Sequence, residues 1–366
     1  MPVLPTLKVI IPSMCKRSEI AAIDLFCGTG GLSLGLKQGG IRIVAGIDNA
    51  SACSYPYSHN IKAKFIERSV CDVRGEDLKR LWGHAEVRLL AGCAPCQPFS
   101  SQRRGVDTSH EKSWPLLNEF ARLVQETMPD FVTMENVPRV QYSPIFDAFV
   151  ACLKQTGYDV TYRVLFGPDY GLPQRRRRLV LLAALNDHIE MPEPTVDIKH
   201  YRTVYDAIHD LPSLGAGQKD DSDSMHFARN LSPINLKRAH ASKPGGTWED
   251  WPEELRVPCQ TRASGKTFKS FYGRMEWNKP SPTITTQSYN PGAGRFTHPA
   301  QDRALTLREA SRLQGFPDSF VFTGPSEKIT LSTVGRLIGN AVPPVFGKAI
   351  ARQFIKTLED RNNNNE

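Results

Sequence analysis

The sequence has 366 residues, of which 40% are hydrophobic and 23% are charged, and its formal net charge is +8. This composition is typical of a soluble globular protein, and no apolar run approaches the roughly 20 residues of a transmembrane helix. No segment resembles a signal peptide, so we expect a cytoplasmic, monomeric protein with reduced cysteines and no membrane partner. The basic excess favours nucleic acid as the partner.

Apolar runs and helical patterns alternate along the first half of the chain. This alternation indicates an α/β fold, in which a doubly wound, mostly parallel sheet is covered by helices on both faces. The predicted strands are 20–26, 41–47, 63–67, 87–92, 130–134, 160–166 and 179–185. The predicted helices between them include 31–38, 116–127 and 145–157.

The composition and the hydrophobic periodicity of the sequence change after residue 188. Proline, glycine, serine and aspartate cluster there, which predicts a smaller, loop-rich domain with short strands at most. Helical periodicity returns at 307–314 and 333–358, and the asparagine-rich end from Arg361 is predicted to be disordered. We therefore divide the chain into a first domain, a loop-rich second domain and a returning C-terminal helix, at 1–188, 189–327 and 328–366.

A glycine-rich loop joins the first predicted strand to its helix. Its glycines let the backbone turn tightly and approach a ligand beside the free N–H groups of a helix start. They are Gly28, Gly30 and Gly31. Asp48 ends the second strand, where it can accept from both ribose hydroxyls of an adenosine, and Asp72 can accept from an exocyclic amine. Because Ser33 replaces the third glycine of the dinucleotide fingerprint, S-adenosylmethionine fits better than NAD.

The eight cysteines of the chain fall into two groups. Six are scattered singly, which argues against a four-ligand zinc site, and we expect no metal. The other two, Cys93 and Cys96, form a Cys-x-x-Cys pair of the kind found in redox proteins. Because Cys93 ends an apolar strand, we favour buried packing over redox chemistry for this residue.

Two reactive side chains stand at the ends of predicted strands. Cys96, in Pro95-Cys96-Gln97, follows the strand 87–92, and Glu135, in Glu135-Asn136-Val137, follows the strand 130–134. The carboxyl ends of strands in such a sheet form the usual site of ligand binding. A nucleophilic sulfur and a carboxylic acid there predict covalent chemistry with acid assistance.

Four consecutive arginines, Arg175 to Arg178, lead into the strand 179–185. Such a run can be a localisation signal or a solvated basic patch. On a strand, however, Arg176 and Arg178 share one face while Arg175 and Arg177 share the other. We expect the first pair to face the active site and the second pair to face solvent or phosphate.

The chain resembles the DNA (cytosine-5)-methyltransferase family, and within it the enzymes of bacterial restriction–modification systems. The resemblance is carried by six motifs in family order, and the segment between 188 and 300 corresponds to the variable target-recognition region. The motifs are Asp24-Leu-Phe-x-Gly-x-Gly-Gly31, Pro95-Cys96-Gln97, Glu135-Asn136-Val137, Gln174-x-Arg-x-Arg178, Arg303-x-Leu-Thr-x-Arg-Glu-Ala-x-Arg-Leu-Gln314 and Gly339-Asn340-Ala-Val342.

This resemblance implies a methyltransferase core of the Rossmann-like type and a reaction. Cys96 adds to carbon 6 of a cytosine flipped out of duplex DNA, and the methyl group passes from S-adenosylmethionine to carbon 5. Glu135 binds or protonates ring nitrogen 3, and Arg176 and Arg178 anchor the base. The implied cofactor residues are Phe26, Gly28, Gly30, Gly31, Asp48, Asn49, Asp72, Val73, Pro95, Asn340 and Val342.

Residues 97–113 resemble a loop that closes over DNA. The candidates for contact with DNA in this loop and in the recognition segment are polar or basic. They are Gln97, Ser100, Arg103, Arg104, Arg262, Lys266, Lys269, Arg274, Thr285, Thr286 and Gln287.

Three other functions are weighed against this interpretation. A tRNA-directed relative usually has a shorter recognition insert and a Cys-Phe-Thr signature, which this sequence lacks. A non-catalytic DNA-binding member is expected to have lost Cys96 or Glu135, and an NAD-dependent oxidoreductase needs neither residue. The modest size of the chain favours a restriction–modification or phage-defence enzyme, which can have a cognate nuclease as a partner.

Overall fold

The computed structural model describes residues 19–95, 115–262 and 269–364. A seven-stranded sheet has the order β3-β2-β1-β4-β5-β7-β6. All neighbouring pairs from β3 to β5 are parallel, and β7 runs antiparallel to both β5 and β6. The strands are β1 Ile20–Leu25, β2 Arg42–Asp48, β3 Lys64–Glu67, β4 Val87–Gly92, β5 Phe131–Asn136, β6 Tyr158–Phe166 and β7 Arg177–Leu185. The predicted mostly parallel α/β sheet is confirmed.

Helices cover both faces of this sheet. Those of the first half are α1 Gly31–Gln38, α2 Ser54–Ile61, α3 Gly75–Trp82, α4 Pro115–Thr127 and α5 Pro144–Gln155. Those of the second half are α6 Val204–Ile208, α7 Pro233–Ala241, α8 Pro258–Thr261, α9 Leu307–Leu313, α10 Leu331–Asn340 and α11 Pro344–Asn364. Within the described ranges, no helix has the length and apolar character needed to cross a bilayer.

The alternation of side chains along the strands builds a separate core on each face. In β4, Leu89 packs with α1 and α11 on one face, while Leu90 packs with α4 on the other. A strand that is buried on both faces reads as a continuous apolar run, as the sequence of β4 does.

A third core joins the loop-rich region to the C-terminal part of the chain. It contains Val204 and Ile208 of α6, Leu313 of α9 and Ile338 of α10. The proposed boundary at residue 328 therefore runs through one hydrophobic core. The domain division remains a proposal about function rather than about separate packing units.

The C-terminal part differs from the sequence prediction in two ways. The single helix expected at 333–358 is two helices, α10 and α11, separated by Ala341 to Pro343. Two consecutive prolines at 343 and 344 explain the break, because proline lacks an N–H and the residue before it avoids the helical conformation. The disordered end expected from Arg361 is wrong as far as Asn364, because α11 continues to that residue.

Candidate active site and cofactor cavity

Glu135 lies where three strands meet at the carboxyl end of the sheet. The parallel register pairs Gly92 of β4 with Met134 of β5, so the following residues, Cys93 and Glu135, are neighbours. The Cys93 thiol donates a hydrogen bond to Oε2 of Glu135 over 2.8 Å. Glu135 is buried with 2% exposure, so its carboxyl group is held by protein contacts rather than by solvent.

Arg178 approaches the same carboxyl group from β7. Because β7 runs antiparallel to β5 and pairs Val180 with Glu135, its first residues lie beside the end of β5. Arg178 Nε lies 2.9 Å from Glu135 Oε1. The N–H does not point at this oxygen, and Oε1 has no hydrogen-bond partner among the described residues. The pair is therefore a charge contact that leaves one buried oxygen open to a further donor or acceptor.

The expected nucleophile Cys96 falls outside the described residues, as do Gln97, Ser100, Arg103 and Arg104. The segment that leads into Cys96 is described as far as Pro95. Asn136 Nδ2 donates to the carbonyl oxygen of Ala94 over 3.1 Å, which ties this segment to the end of β5. Asn136 and Glu135, adjacent in sequence, thus serve two parts of the same site.

Exposure alternates along the arginine run, as its position at a strand predicts. The two inward side chains, Arg176 and Arg178, contact different partners. Arg175 and Arg177 are exposed, whereas Arg176 is buried with 2% exposure. The Arg176 guanidinium donates to the carbonyl oxygens of Ile284, Gly339 and Ala341 at 3.0, 3.2 and 3.3 Å. Arg178 contacts Glu135, while Arg176 ties the loop-rich region to the end of α10.

A cavity of about 480 Å³ lies beside this site, within the size range of small-molecule pockets. Seven predicted cofactor residues line it, and they are Phe26, Gly28, Asp48, Asn49, Pro95, Asn340 and Val342. Further lining residues that the sequence analysis assigned no cofactor role include Asp24, Cys27, Thr29, Ala50, Cys53, Arg68, Ser69, Val70, Arg336 and Leu337. Three of these, Cys27, Thr29 and Ala50, directly flank a predicted residue, and this is the signal that could have identified them.

Asp48 is fixed in the cavity wall by two backbone amides. Gly28 N–H donates to Oδ2 and Ala50 N–H donates to Oδ1, each over 2.9 Å. Gly28 adopts a φ of +52°, a left-handed conformation that favours glycine. The turn between β1 and α1 thereby aligns a carboxylate that can still accept further hydrogen bonds.

Asp24 is a second carboxyl group in the cavity wall, and it is fully buried. Its Oδ2 accepts a 2.6 Å hydrogen bond from the Ser33 hydroxyl, while Oδ1 has no hydrogen-bond partner in the described part of the chain. Burial raises the pKa of Asp24 to about 7, with a smaller rise from the charge of Asp48, and the Ser33 hydrogen bond opposes both. Asp24 opens the first family motif, although the sequence assigned it no role.

Four residues expected to bind the cofactor do not line the cavity. Gly30 and Gly31 serve packing instead, since a Cβ on Gly31 would lie 2.1 Å from the carbonyl oxygen of Val342. Asp72 is exposed at the end of a short 3-10 helix, and Val73 is buried in the core beneath the sheet. None of these four residues therefore lies in the cavity wall.

Two other cysteines in the cavity wall are poor nucleophiles. Burial raises the pKa of Cys53 to about 12 and that of Cys27 well above its usual range. Both are therefore thiols at neutral pH, which is the less reactive form.

The expected role of Arg274 in reading DNA does not fit the structure. Its side chain is buried, and it donates to the carbonyl oxygens of Ser242 and Ala239 and pairs with the Asp302 carboxylate. An arginine with this many internal partners has no donor to spare for a base. Its burial depends on residues about 30 positions away, which no local pattern reveals.

The other candidates for DNA contact are more accessible. Arg262 and Gln287 are exposed, and Thr285 and Thr286 are half-buried in a segment that crosses Gly339 closely. Lys269 is exposed and forms an ion pair with Glu249, and Lys266 falls outside the described residues.

Comparison with known proteins agrees with this geometry. The profile of the C-5 cytosine-specific DNA methylase family matches residues 20–356. The type II methylase M.HgiDII of Herpetosiphon aurantiacus is 47% identical over 342 residues, which cover 93% of this chain and 96% of the relative. The type II methyltransferase M1.HphI of Haemophilus parahaemolyticus is 34% identical, with 92% and 87% covered.

Solved structures share the fold. A candidate DNA modification methyltransferase encoded within an E. coli prophage aligns with a TM-score of 0.72 and 24% identity, covering 93% of this chain and all of the other. The Dnmt2 methyltransferase of S. pombe aligns with a TM-score of 0.59 and 18% identity, covering 93% and 99%. With a family profile that spans nearly all of the sheet and its helices, and relatives similar along almost their whole length, this chain belongs to the C-5 cytosine-specific DNA methylase family.

Proposed function

We propose that this DNA (cytosine-5)-methyltransferase uses Cys96 as its nucleophile, Glu135 as its acid and Arg178 as the cation beside that acid. The observation that carries the proposal is the open Oε1 atom of Glu135, which is buried and lies 2.9 Å from Arg178 Nε. A buried carboxyl oxygen without a hydrogen-bond partner is costly, and a substrate that supplies a partner recovers that cost.

The chemistry required at cytosine gives each of these groups a task. Carbon 5 is a weak nucleophile until the Cys96 thiolate forms a bond to carbon 6 and pushes electron density into the ring. Glu135 then stabilises this adduct by presenting a proton to ring nitrogen 3. Arg178 stabilises the charge that shifts between the carboxyl group and the base. Once carbon 5 carries the transferred methyl group, its proton is lost to solvent, the freed electron pair expels the Cys96 sulfur as the thiolate, and ring nitrogen 3 returns its proton to Glu135.

The cavity beside Glu135 suits S-adenosylmethionine, which supplies an electrophilic methyl group when it is bound. Asp48 is proposed to accept from the ribose hydroxyls, Phe26 to stack on the adenine and Asn340 to bind the methionine end. The open Oδ1 of Asp24 adds a second carboxyl group, with an unused polar atom, to the same wall. Gly28, Asn49, Pro95 and Val342 complete the proposed contacts.

Arg176 is proposed to act as a positioning residue rather than on the base itself. Its three carbonyl partners include Gly339 and Ala341, which flank the proposed cofactor residue Asn340. The same guanidinium also binds Ile284, next to Thr285 and Thr286 in the recognition region. This arrangement supports a role for Arg176 in fixing the position of the recognition segment relative to the cavity wall around Asn340.

Duplex DNA is the proposed substrate, because the target cytosine must leave the helix to reach the buried Glu135. The proposed DNA contacts are Gln97, Ser100, Arg103, Arg104, Arg262, Thr285, Thr286 and Gln287. The type II names of the relatives support a role in a bacterial restriction–modification system with a cognate nuclease. We propose that the enzyme acts as a monomer in the bacterial cytoplasm, on nucleoid DNA.

Transfer of labelled methyl groups to duplex DNA and to tRNA tests this proposal. We expect incorporation into DNA, loss of incorporation in Cys96→Ala, and covalent trapping of the wild-type enzyme on DNA that contains 5-fluorocytosine. Incorporation into tRNA alone would overturn the DNA assignment. Trapping that survives in Cys96→Ala but disappears in Cys93→Ala would overturn the choice of nucleophile.

A further inference from the structure

The thiol of Cys93 touches the proposed acid directly, which gives this residue a task that neither the family motifs nor the proposed reaction assigns. We propose that Cys93 is a positioning residue that holds Glu135 in the orientation needed for its action on cytosine. This inference rests on the proposed role of Glu135. The geometry behind it is the 2.8 Å contact from Cys93 Sγ to Glu135 Oε2.

The two oxygens of Glu135 have different neighbours, and this difference defines the orientation. Oε2 accepts from the Cys93 thiol, whereas Oε1 lies beside Arg178 and has no hydrogen-bond partner among the residues described. Without the thiol, the carboxyl group can rotate about its last torsion, which has a broad energy profile. The hydrogen bond from Cys93 therefore fixes the plane of the carboxyl group and the direction in which its open oxygen faces.

The backbone on either side fixes where the Cys93 thiol lies. Cys93 N–H donates to the carbonyl oxygen of Leu25 over 3.2 Å, which extends the pairing of β4 with β1 by one residue. The next residue, Ala94, accepts from the Asn136 side chain. These two tethers on consecutive residues hold the Cys93 backbone in place, so the Cα–Cβ bond that carries the thiol has a fixed position beside Glu135.

A thiol suits this task because it is a neutral and weak donor. A lysine or arginine at the same place would add a second cation to the one that Arg178 already places beside the other oxygen. The Cys93 thiol fixes the position of the carboxyl group without adding a charge beside it. Arg178, at the other oxygen, supplies the charge contact.

Single-turnover methylation at saturating cofactor and DNA tests the inference. We expect Cys93→Ala to lower the rate about tenfold, as the loss of one hydrogen bond to an ionisable group predicts, with little change in cofactor or DNA affinity. Cys93→Ser keeps a donor and is expected to recover most of the rate. Cys152→Ala, at a half-buried cysteine on α5, is the matched control and is expected to match the wild type.

A second series separates positioning from structural support. Cys93→Val fills the space of the thiol without donating, so we expect the same loss as in Cys93→Ala even if the smaller variant folds poorly. In a Glu135→Gln background, Cys93→Ala is expected to cause no further loss, because the thiol acts through the carboxyl group.

The outcomes distinguish this inference from the proposed function. A wild-type rate in Cys93→Val, or an equal tenfold loss in both backgrounds, would overturn the positioning role of Cys93 while leaving Glu135 as the acid. A wild-type rate in Glu135→Gln alone would instead overturn the proposed function on which the inference rests.

Discussion

Arg178 Nε lies 2.9 Å from Oε1 of Glu135, and both side chains are largely buried at the ends of adjacent antiparallel strands. The electrostatic interaction between a cation and a buried carboxyl group at this distance is much stronger than that between the two groups of an exposed ion pair. Arg176, two residues earlier, binds backbone carbonyl oxygens instead. Substitution of the two arginines of this motif is therefore expected to have different effects, on catalysis for Arg178 and on stability for Arg176.

Arg178→Ala is expected to lower the single-turnover methylation rate by about a hundredfold, as the loss of one charge-stabilising group does in other active sites. Cofactor affinity is expected to stay near that of the wild type. Arg177→Ala is the matched control, because that guanidinium is exposed and stacks 4.3 Å from the Phe166 ring. A loss in Arg177→Ala with full activity in Arg178→Ala would show that the assigned strand register is off by one residue.

Arg176→Ala is expected to lower the free energy of unfolding by at least about 3 kcal/mol, since it leaves buried carbonyl oxygens without a donor. Cofactor affinity is expected to fall with it, because Gly339 and Ala341 flank Asn340. Urea unfolding and calorimetric titration measure the two effects. Arg175→Ala is the control, and equal stability of the two variants would contradict the tethering role of Arg176.

The alternation in this arginine run could be predicted because a strand has a period of two residues. The parallel sheet was predictable for a similar reason, since continuous apolar runs and intervening helices are local features of the chain. Local patterns could not predict that Arg176 and Arg178 have different partners. Those partners belong to β5 and to the segments around 284 and 340, and their proximity is a property of the whole fold.

The same limit explains the predictions that the structure does not support. A glycine motif indicates that the backbone is in close contact with another group but does not identify that group. For Gly31 it is the carbonyl oxygen of Val342 rather than a ligand. An arginine in a polar segment looks available for DNA, but Arg274 is satisfied by partners such as Asp302. Asp24 illustrates the reverse case, since its role depends on burial that the sequence does not display.

Asp48→Ala is expected to weaken cofactor binding at least about tenfold, because hydrogen bonds to a charged group contribute about 1.5–3 kcal/mol. Affinity for DNA is expected to change little, since Asp48 lies in the cavity wall. Calorimetric titration with S-adenosylmethionine gives the dissociation constant directly. Asp72→Ala, at an exposed carboxylate outside the cavity, is the control, and a larger loss there would restore the sequence-based assignment of Asp72.

Asp24→Asn is expected to change how stability depends on pH. Burial raises the pKa of Asp24 from its usual value of 3.8 to about 7, so between these values the folded protein keeps a proton that the unfolded chain has lost. The unfolded state is then favoured as pH rises, at about 1.4 kcal/mol per pH unit. The contribution of Asp24 to stability is therefore fully present below pH 4 and has been lost above pH 7.

Asparagine does not titrate, and its amide oxygen can still accept from Ser33. The stability of Asp24→Asn relative to the wild type is therefore expected to rise between pH 4 and pH 7, by up to about 4 kcal/mol, and then to level off. Urea unfolding of both proteins at pH 4.5, 6 and 8 measures this difference, in which the titration of all other groups cancels. A stability difference that is flat across this range, or that falls as pH rises, would show that Asp24 is ionised in the folded protein at all of these values.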